Sequence, residues 1–322
     1  MSQQPWVEIY RPRSLDEVIG QENIIERLKI FVAEQQMPHL IFAGPAGTGK
    51  TTSALALIRD LFGKKMKRSV NFLELNASDA RGIEVVRTYI KDFAKAQANP
   101  DIPFKILILD EADNMTASAM QALRRTMEKY TQNCRFILIC NYSNKIILPI
   151  QSRCAIFRFS PLTNTAIKNR VQEIAKKESV QLTDEGLETL IYVSQGDCRR
   201  AVNYLQSCAT LDVPITEEIV LKITGKIHPD EIQKMLYFAL NHQLSEAKDC
   251  LYTFIEDYGL SGRNIVSQAH TEVYNLNEGK VTEEQKFQII KILAEIEYRL
   301  SQGGTEEVQL NAMLAKISLL QE

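Results

Sequence analysis

The chain of 322 residues has no apolar run near the roughly 20 residues that a membrane-spanning helix requires, so no bilayer span is expected. Its opening, MSQQPWVEIYRP, lacks the charged-then-apolar order of a signal peptide, and secretion is not expected. Its six cysteines (Cys134, Cys140, Cys154, Cys198, Cys208 and Cys250) form no C-x-x-C pair, which argues against a zinc site. Several lie in apolar or helical runs and read as small buried hydrophobes in a reducing cytosolic or nuclear interior. An excess of charge of one sign is also missing, because 38 Lys and Arg face 40 Asp and Glu for a net −2. The chain is no polycation, and any nucleic-acid binding must come from a local basic surface. There is no low-complexity segment and no short internal repeat. What is present is an ordinary 45% of apolar residues, enough for two or three domains with substantial cores.

Up to Pro161, short apolar runs alternate with helical patterns. HLIFA (39–43), VNFLELN (70–76), FKILILD (104–110), RFILIC (135–140) and AIFRF (155–159) predict strands of a parallel α/β sheet. The unbroken apolarity of KILIL and FILI predicts strands covered on both faces. After Pro161 only helical periodicity remains, with Thr163, Thr183 and Asp197 as expected N-caps and a Gly/Pro break near residues 224–231. The expected division is an α/β nucleotide-binding domain over 1–160, a small helical lid over 161–226 and an all-α domain over 227–322.

The chemistry is concentrated in GPAGTGKT, residues 44–51, which matches G-x-x-x-x-G-K-[ST] in full between an apolar strand and a helix. Gly44, Pro45, Ala46, Gly47, Thr48 and Gly49 would turn tightly and aim backbone N–H groups at an anion, with Thr52 following in the helix. Lys50 is expected to reach the β- and γ-phosphates, and Thr51 to ligate Mg²⁺. A second element, ILILDEAD (106–113), ends a buried strand in adjacent carboxylates. Asp110 suits the Mg²⁺ shell, and Glu111 is free to orient and deprotonate water, a base that a hydrolase needs. ATP with Mg²⁺ is therefore the expected ligand.

Other words make the likeness more specific. PWVEIYRPRSLDEVIGQE, LELNASDARGI, ALRRTMEKY, CNYSNKIILPIQSRC and GDCRRAVNYLQ together resemble the small subunits of replication factor C, the clamp loader of archaea and eukaryotes, within the AAA+ family. The likeness runs from Pro5 to about Leu205 and thins over the last hundred residues. It implies an AAA+ core with a helical lid and a helical oligomerisation collar. It also implies an ATPase that assembles, as a pentamer, with a large subunit and further small subunits, and that loads a PCNA-type sliding clamp on primer–template DNA. The compartment would be the cytoplasm of an archaeon or the nucleus of a eukaryote. Residue by residue, it implies that Val7, Arg11 and Ile19 wrap the adenine and that Asn141 senses the γ-phosphate or the attacking water. Arg199 would reach the nucleotide from the lid, and Arg153 of SRC would act as an arginine finger on the neighbouring subunit's ATP. Plainer readings remain for each: Asn141 as a strand-end cap, Arg199 as a surface charge, Arg153 paired with an acid of its own chain. Leu148 and Ala80 stand where the family commonly has acids, and neither position carries a hydrolysis role.

Residues 80–97 predict a helix with Ile83, Val86, Ile90 and Phe93 on one face and Arg87, Lys91 and Lys95 in a basic stripe about a quarter-turn away. On spacing alone such a stripe is a solvated face. The resemblance implies that Arg81, Arg87 and Lys91 contact a DNA backbone without sequence preference, and no aromatic-rich base-stacking pattern accompanies them. The basic run at 63–69 reads as a solvated loop. In residues 116–130, Met120, Leu123, Met127 and Tyr130 read as a core-facing stripe, with a clamp contact as the alternative. Two other functions stay open: a nucleotide-binding scaffold that scarcely hydrolyses, and a related AAA+ helicase or branch-migration motor.

Overall fold

The computed structural model describes residues 4–63, 70–78, 82–99, 102–256, 258–277 and 281–320. Arg81, Ala80 and most of the basic run at 63–69 fall outside them. The chain divides into two compact units, residues 1–182 with 190–214, and residues 183–189 with 215–322.

In the first unit, α1 (Trp6–Ile9) and α2 (Glu22–Glu34) precede β1 (His39–Ala43) and α3 (Lys50–Phe62). Next come β2 (Phe72–Asn76), α4 (Ile83–Val85), a π turn over Val86–Ile90, α5 (Lys91–Lys95) and β3 (Lys105–Asp110). Then follow α6 (Ala117–Tyr130), β4 (Cys134–Cys140), α7 (Leu148–Gln151) and β5 (Cys154–Arg158). The five strands form one parallel sheet in the order β2-β3-β4-β1-β5, with Leu40 opposite Ile137, Leu107 opposite Phe136 and Asn76 opposite Asp110.

The predicted two-sided burial is resolved residue by residue. Leu40 and Phe42 of β1, Ile106 and Ile108 of β3, and Ile137 and Ile139 of β4 join one core with α2 and α3. Their neighbours Ile41, Ala43, Leu107, Leu109, Phe136 and Leu138 join a second core with α6 on the opposite face. The period of two in a pleated strand sends successive side chains to opposite faces. Each fully buried Ile, Leu or Phe contributes about 1.5–3 kcal/mol, so both faces hold the sheet. Met120, Leu123 and Met127 of α6 are buried and Tyr130 half-buried, in keeping with a core-facing stripe.

One helix departs from expectation. The segment 83–95 buries Val86 and Ile90 as predicted, but it is not a uniform α-helix, because its middle is a π turn. Thr88 Oγ1 donates to the Glu84 carbonyl at 2.7 Å, and a side chain feeding into the backbone ladder loosens the turn around it.

The first unit continues with α8 (Asn164–Lys177) and α10 (Cys198–Ala209), while α9 (Asp184–Ser194) lies between them in sequence. The expected caps are present: Thr163 accepts from Ala166 N–H, Thr183 from Gly186 N–H and Asp197 from Arg200 N–H.

The second unit holds α11 (Glu217–Thr224), α12 (Pro229–Leu240), α13 (Leu244–Glu256), α14 (Gly262–Val273), α15 (Glu283–Ser301) and α16 (Glu306–Ser318). The last five share a core of their own that includes Met235, Leu251, Ile265, Leu293 and Leu314. Among the described residues no helix is long and apolar enough to cross a membrane.

Candidate functional site

Because β3, β4 and β1 are adjacent, the chain segments leaving their carboxyl ends converge: Asp110 and Glu111, Asn141, and the loop 44–49. In an open parallel sheet this end is where ligands bind. These segments line a cavity of about 240 Å³, closed on other sides by the N-terminal segment, α8 and α10.

The loop's geometry explains its glycines. A Cβ at Gly44 would stand 2.2 Å from the Phe159 carbonyl oxygen, so only a bare backbone fits between β1 and β5. Gly47 has φ +70°, and a Cβ there would stand 1.7 Å from Asp197 Oδ1, the cap of α10. Thr48 Oγ1 donates to the Pro45 carbonyl at 2.9 Å, and Gln21 Nε2 donates to the Thr48 and Ser160 carbonyls, which fixes the loop's shape from two directions.

Lys50 is only 9% exposed. Its Nζ donates to the Gly44 and Pro45 carbonyls at 2.7 Å each and to Asn141 Oδ1 at 3.3 Å. Burial is the main cause that lowers its pKa, and nearby Asp110 opposes that fall. Thr51 Oγ1 donates to Asp110 Oδ2 at 2.8 Å, while Asp110 Oδ1 accepts the Glu111 N–H at 2.8 Å. Thr51 and Asp110 thus present a hydroxyl and a carboxylate side by side, the hard oxygen donors that suit Mg²⁺. Glu111 adopts φ +53°, a left-handed conformation uncommon for a residue with a side chain, and its Oε2 accepts from Asn114 Nδ2 at 3.2 Å. A carboxylate held by left-handed backbone, with a neutral amide as its side-chain partner among the described residues, is able to take a proton.

Val7, Arg11, Ile19, Ala46, Gly47, Thr48, Gly49, Lys50, Thr51, Thr52, Asp110, Glu111, Asn141 and Arg199 all line the cavity. Gly44 and Pro45 contribute through the carbonyls that Lys50 binds. Arg11 is paired with Glu8 at 2.6 Å. Arg153 is elsewhere: its guanidinium lies 2.6 Å from Glu128 Oε1, and it also donates to the Pro149 carbonyl. Arg124 binds the same carboxylate at 3.0 Å, and its hydrogen bond, foremost, holds that carboxyl below the usual range. The plainer reading of Arg153, an ion pair within its own chain, is therefore present.

Several lining residues escaped the sequence reading. Arg170 of α8 donates to the Tyr10 carbonyl and pairs with Glu173 at 2.7 Å. Tyr10 Oη donates to Glu178 at 2.6 Å, and that bond, with burial, pushes its pKa up to about 12. The Trp6 N–H donates to Gln206 of α10 at 2.9 Å. The N-terminal segment is thereby tied to both α8 and α10. Ile174, Cys198 and Val202 add apolar lining from those two helices. The i, i+4 spacing of Arg170 with Ile174 and of Cys198 with Val202 marks the inward faces, but it is indistinguishable in sequence from ordinary packing.

A buried parallel sheet, a glycine loop whose lysine reaches its own carbonyls, and a strand-end carboxylate pair under a helical cap define a P-loop ATPase fold. A model of the ATPase family associated with various cellular activities matches residues 40–162. A solved structure of the Thermotoga maritima RuvB Holliday junction branch migration motor aligns with a TM-score of 0.55 over 85% of this chain and 88% of that one, a likeness of fold alone at 19% identity. A model of the replication factor C C-terminal domain matches residues 227–316. Replication factor C small subunits of Methanococcus maripaludis strain C5 and Sulfolobus acidocaldarius are each 50% identical, covering 99% and 98% of this chain and 100% and 95% of their own. That of Archaeoglobus fulgidus is 48% identical over 98% of this chain and 97% of its own. The chain belongs to the replication factor C small subunit family.

Proposed function

We infer that the chain is an ATP-hydrolysing switch subunit of a replication factor C assembly that loads a PCNA-type sliding clamp onto primer–template DNA. The observation that carries this is the meeting of Lys50, Thr51, Asp110, Glu111 and Asn141 in one cavity beneath the helix that bears Arg199. The assembly would join this chain with a large subunit and further small subunits as a pentamer. In the three-part division 1–160 is the nucleotide core, 161–226 the lid and 227–322 the collar that holds subunits together.

ATP would lie with its phosphates against the backbone N–H groups of Gly47, Thr48 and Gly49, and Lys50 would exchange its loop carbonyls for β- and γ-phosphate oxygens. Val7, Arg11 and Ile19 would flank the adenine. Thr51 and Asp110 would hold Mg²⁺, which when bound neutralises phosphate charge and favours attack at the γ-phosphorus. Glu111 would accept a proton from the attacking water that Asn141 orients. Arg199 would sense the γ-phosphate from the lid. Arg153 would leave Glu128 for the nucleotide of an adjoining subunit, placing positive charge where negative charge gathers in the transition state. Loss of the γ-phosphate would then release the lid and the grip on the ring. Helix residues Arg87 and Lys91, with Arg81, would follow the DNA backbone.

The test is copurification with a PCNA-type clamp and a large subunit, followed by steady-state ATPase assays with and without clamp and DNA. Stimulated turnover that is lost with Glu111→Gln in this chain supports the reading. Stimulated turnover untouched by Glu111→Gln would reduce this chain to a scaffold, and failure to assemble would overturn the reading altogether.

A further inference from the structure

The N-terminal segment lines the nucleotide cavity through Trp6, Val7, Tyr10 and Arg11, yet little in its own structure holds it there. Its helix α1 is four residues long, and Pro5 at its start provides no side-chain cap. A helix so short does not stand alone in water and takes its place from what it docks on. Three hydrogen bonds join the segment to distant parts of the chain. The Trp6 N–H donates to Gln206 of α10, Tyr10 Oη donates to Glu178 at the end of α8, and the Tyr10 carbonyl accepts from Arg170 of α8.

The Arg170 bond differs from the other two in what it fixes. The carbonyl belongs to the planar peptide unit that joins Tyr10 to Arg11, so its direction sets where Arg11 leaves. Pro12 follows, and its ring restricts the backbone beyond. The arginine is itself held. Its Nη1 lies 2.7 Å from Glu173 Oε2, and Lys177 binds the same carboxylate at 2.6 Å. The Arg170 side chain is only 13% exposed. A guanidinium is a rigid planar fork, so anchoring one nitrogen on Glu173 aims the other at Tyr10. One turn further along α8, Ile174 lines the same cavity. A single helix face thus supplies both apolar lining and the cation that fixes the segment opposite.

We propose that Arg170 is a positioning residue for the base of the nucleotide: by holding the Tyr10 carbonyl it keeps residues 6–11 docked on α8 and α10, so that Val7 and Arg11 stand in place before the ligand arrives. The inference rests on the reading that Val7, Arg11 and Ile19 flank the adenine, and it adds the residue that sets this wall. Without the bond, the segment leaves its dock in a share of the molecules, and the apparent affinity for nucleotide falls by the fraction that stays docked.

Trp6 makes the docking observable. It is the one tryptophan of the chain, it lies in the segment concerned, and it is buried. The test measures acrylamide quenching of its emission in the isolated full chain, together with calorimetric titration of a non-hydrolysable ATP analogue in the presence of Mg²⁺. It compares the unaltered chain with Arg170→Met, which keeps the apolar stem without a donor, and with Arg170→Lys, which keeps a donor for the same carbonyl. Losing one hydrogen bond from a charged donor is expected to weaken analogue binding by about tenfold in Arg170→Met. Quenching of Trp6 should rise several-fold in that variant and return towards the unaltered value at saturating analogue. Arg170→Lys should recover most of both effects. Trp6 freed with affinity unchanged would show that the base does not lean on the segment, and would overturn the proposal. Weaker binding with Trp6 still shielded would make Arg170 a direct ligand contact, and would overturn it too. No change in either measurement, or a Lys variant as impaired as the Met variant, would place Arg170 outside this role. In each of these cases binding by the unaltered chain leaves the nucleotide reading standing; failure of the unaltered chain to bind the analogue would overturn both.

Discussion

Single residues in this chain are placed by neighbours distant in sequence, and their behaviour follows from those neighbours. Lys50 has all three donors engaged, two by its own loop and one by Asn141. A ligand must offer better acceptors than two carbonyls, which a single weak anion does not and a polyphosphate does. Glu111→Gln is expected to lower turnover by about 10²–10⁴-fold while leaving nucleotide affinity within a few-fold, measured by single-turnover kinetics and equilibrium binding. His39 is a different case. It is buried in β1, its Nδ1 accepts the Phe136 N–H at 3.1 Å, and burial lowers its pKa to about 4. The folded state favours the neutral ring, so this contribution is complete above pH about 6.5 and is lost as pH falls from there to about 4. The loss is on the order of 3 kcal/mol. Urea unfolding of the unaltered chain and of His39→Asn should differ in pH slope across that window and run parallel above it. Lys50, Thr51, Asp110 and Glu111 were legible in sequence because phosphate chemistry restricts both residue type and spacing. Arg170 was not, because its role depends on Tyr10, 160 positions away, and an arginine in KNRVQEIAKKE reads as a solvated helix face.

At the scale of elements, the loop between β1 and α3 is coupled to the start of α10. Gly47 sits where a side chain would collide with Asp197, and Asp197 both caps α10 and precedes Arg199. Gly47→Ala is expected to cost about 1–2 kcal/mol from its left-handed backbone alone. Displacing Asp197 should in addition weaken nucleotide binding, by roughly tenfold for each 1.4 kcal/mol. Calorimetric titration with a non-hydrolysable ATP analogue checks the second effect, and chemical unfolding checks the first. Unchanged nucleotide affinity would uncouple the loop from the cap. All five strands were legible, because continuous apolar runs bounded by Gly, Pro and charge have few alternatives. The π turn at 86–90 was not, because Thr88 in a run of otherwise regular spacing carries no sign that its hydroxyl will turn onto Glu84.

At the scale of the whole molecule, two units with separate cores predict that unfolding is not one transition. A nucleotide at a hundred times its Kd stabilises the unit that binds it by about 2.7 kcal/mol. Scanning calorimetry with added nucleotide should therefore raise one transition and leave the other in place; equal movement of both would mean that they melt as one. The sheet order has a further consequence. The phosphate loop follows β1 and the carboxylates follow β3, yet these strands do not touch: β4, built from residues 134–140, lies between them. A nascent chain that has left the ribosome only as far as Tyr130 already carries Lys50, Thr51, Asp110 and Glu111, but β1 still lacks both of its sheet partners, β4 and β5. The sheet around β1, and with it the bed of the phosphate loop, can therefore close only after residues 134–158 have been made.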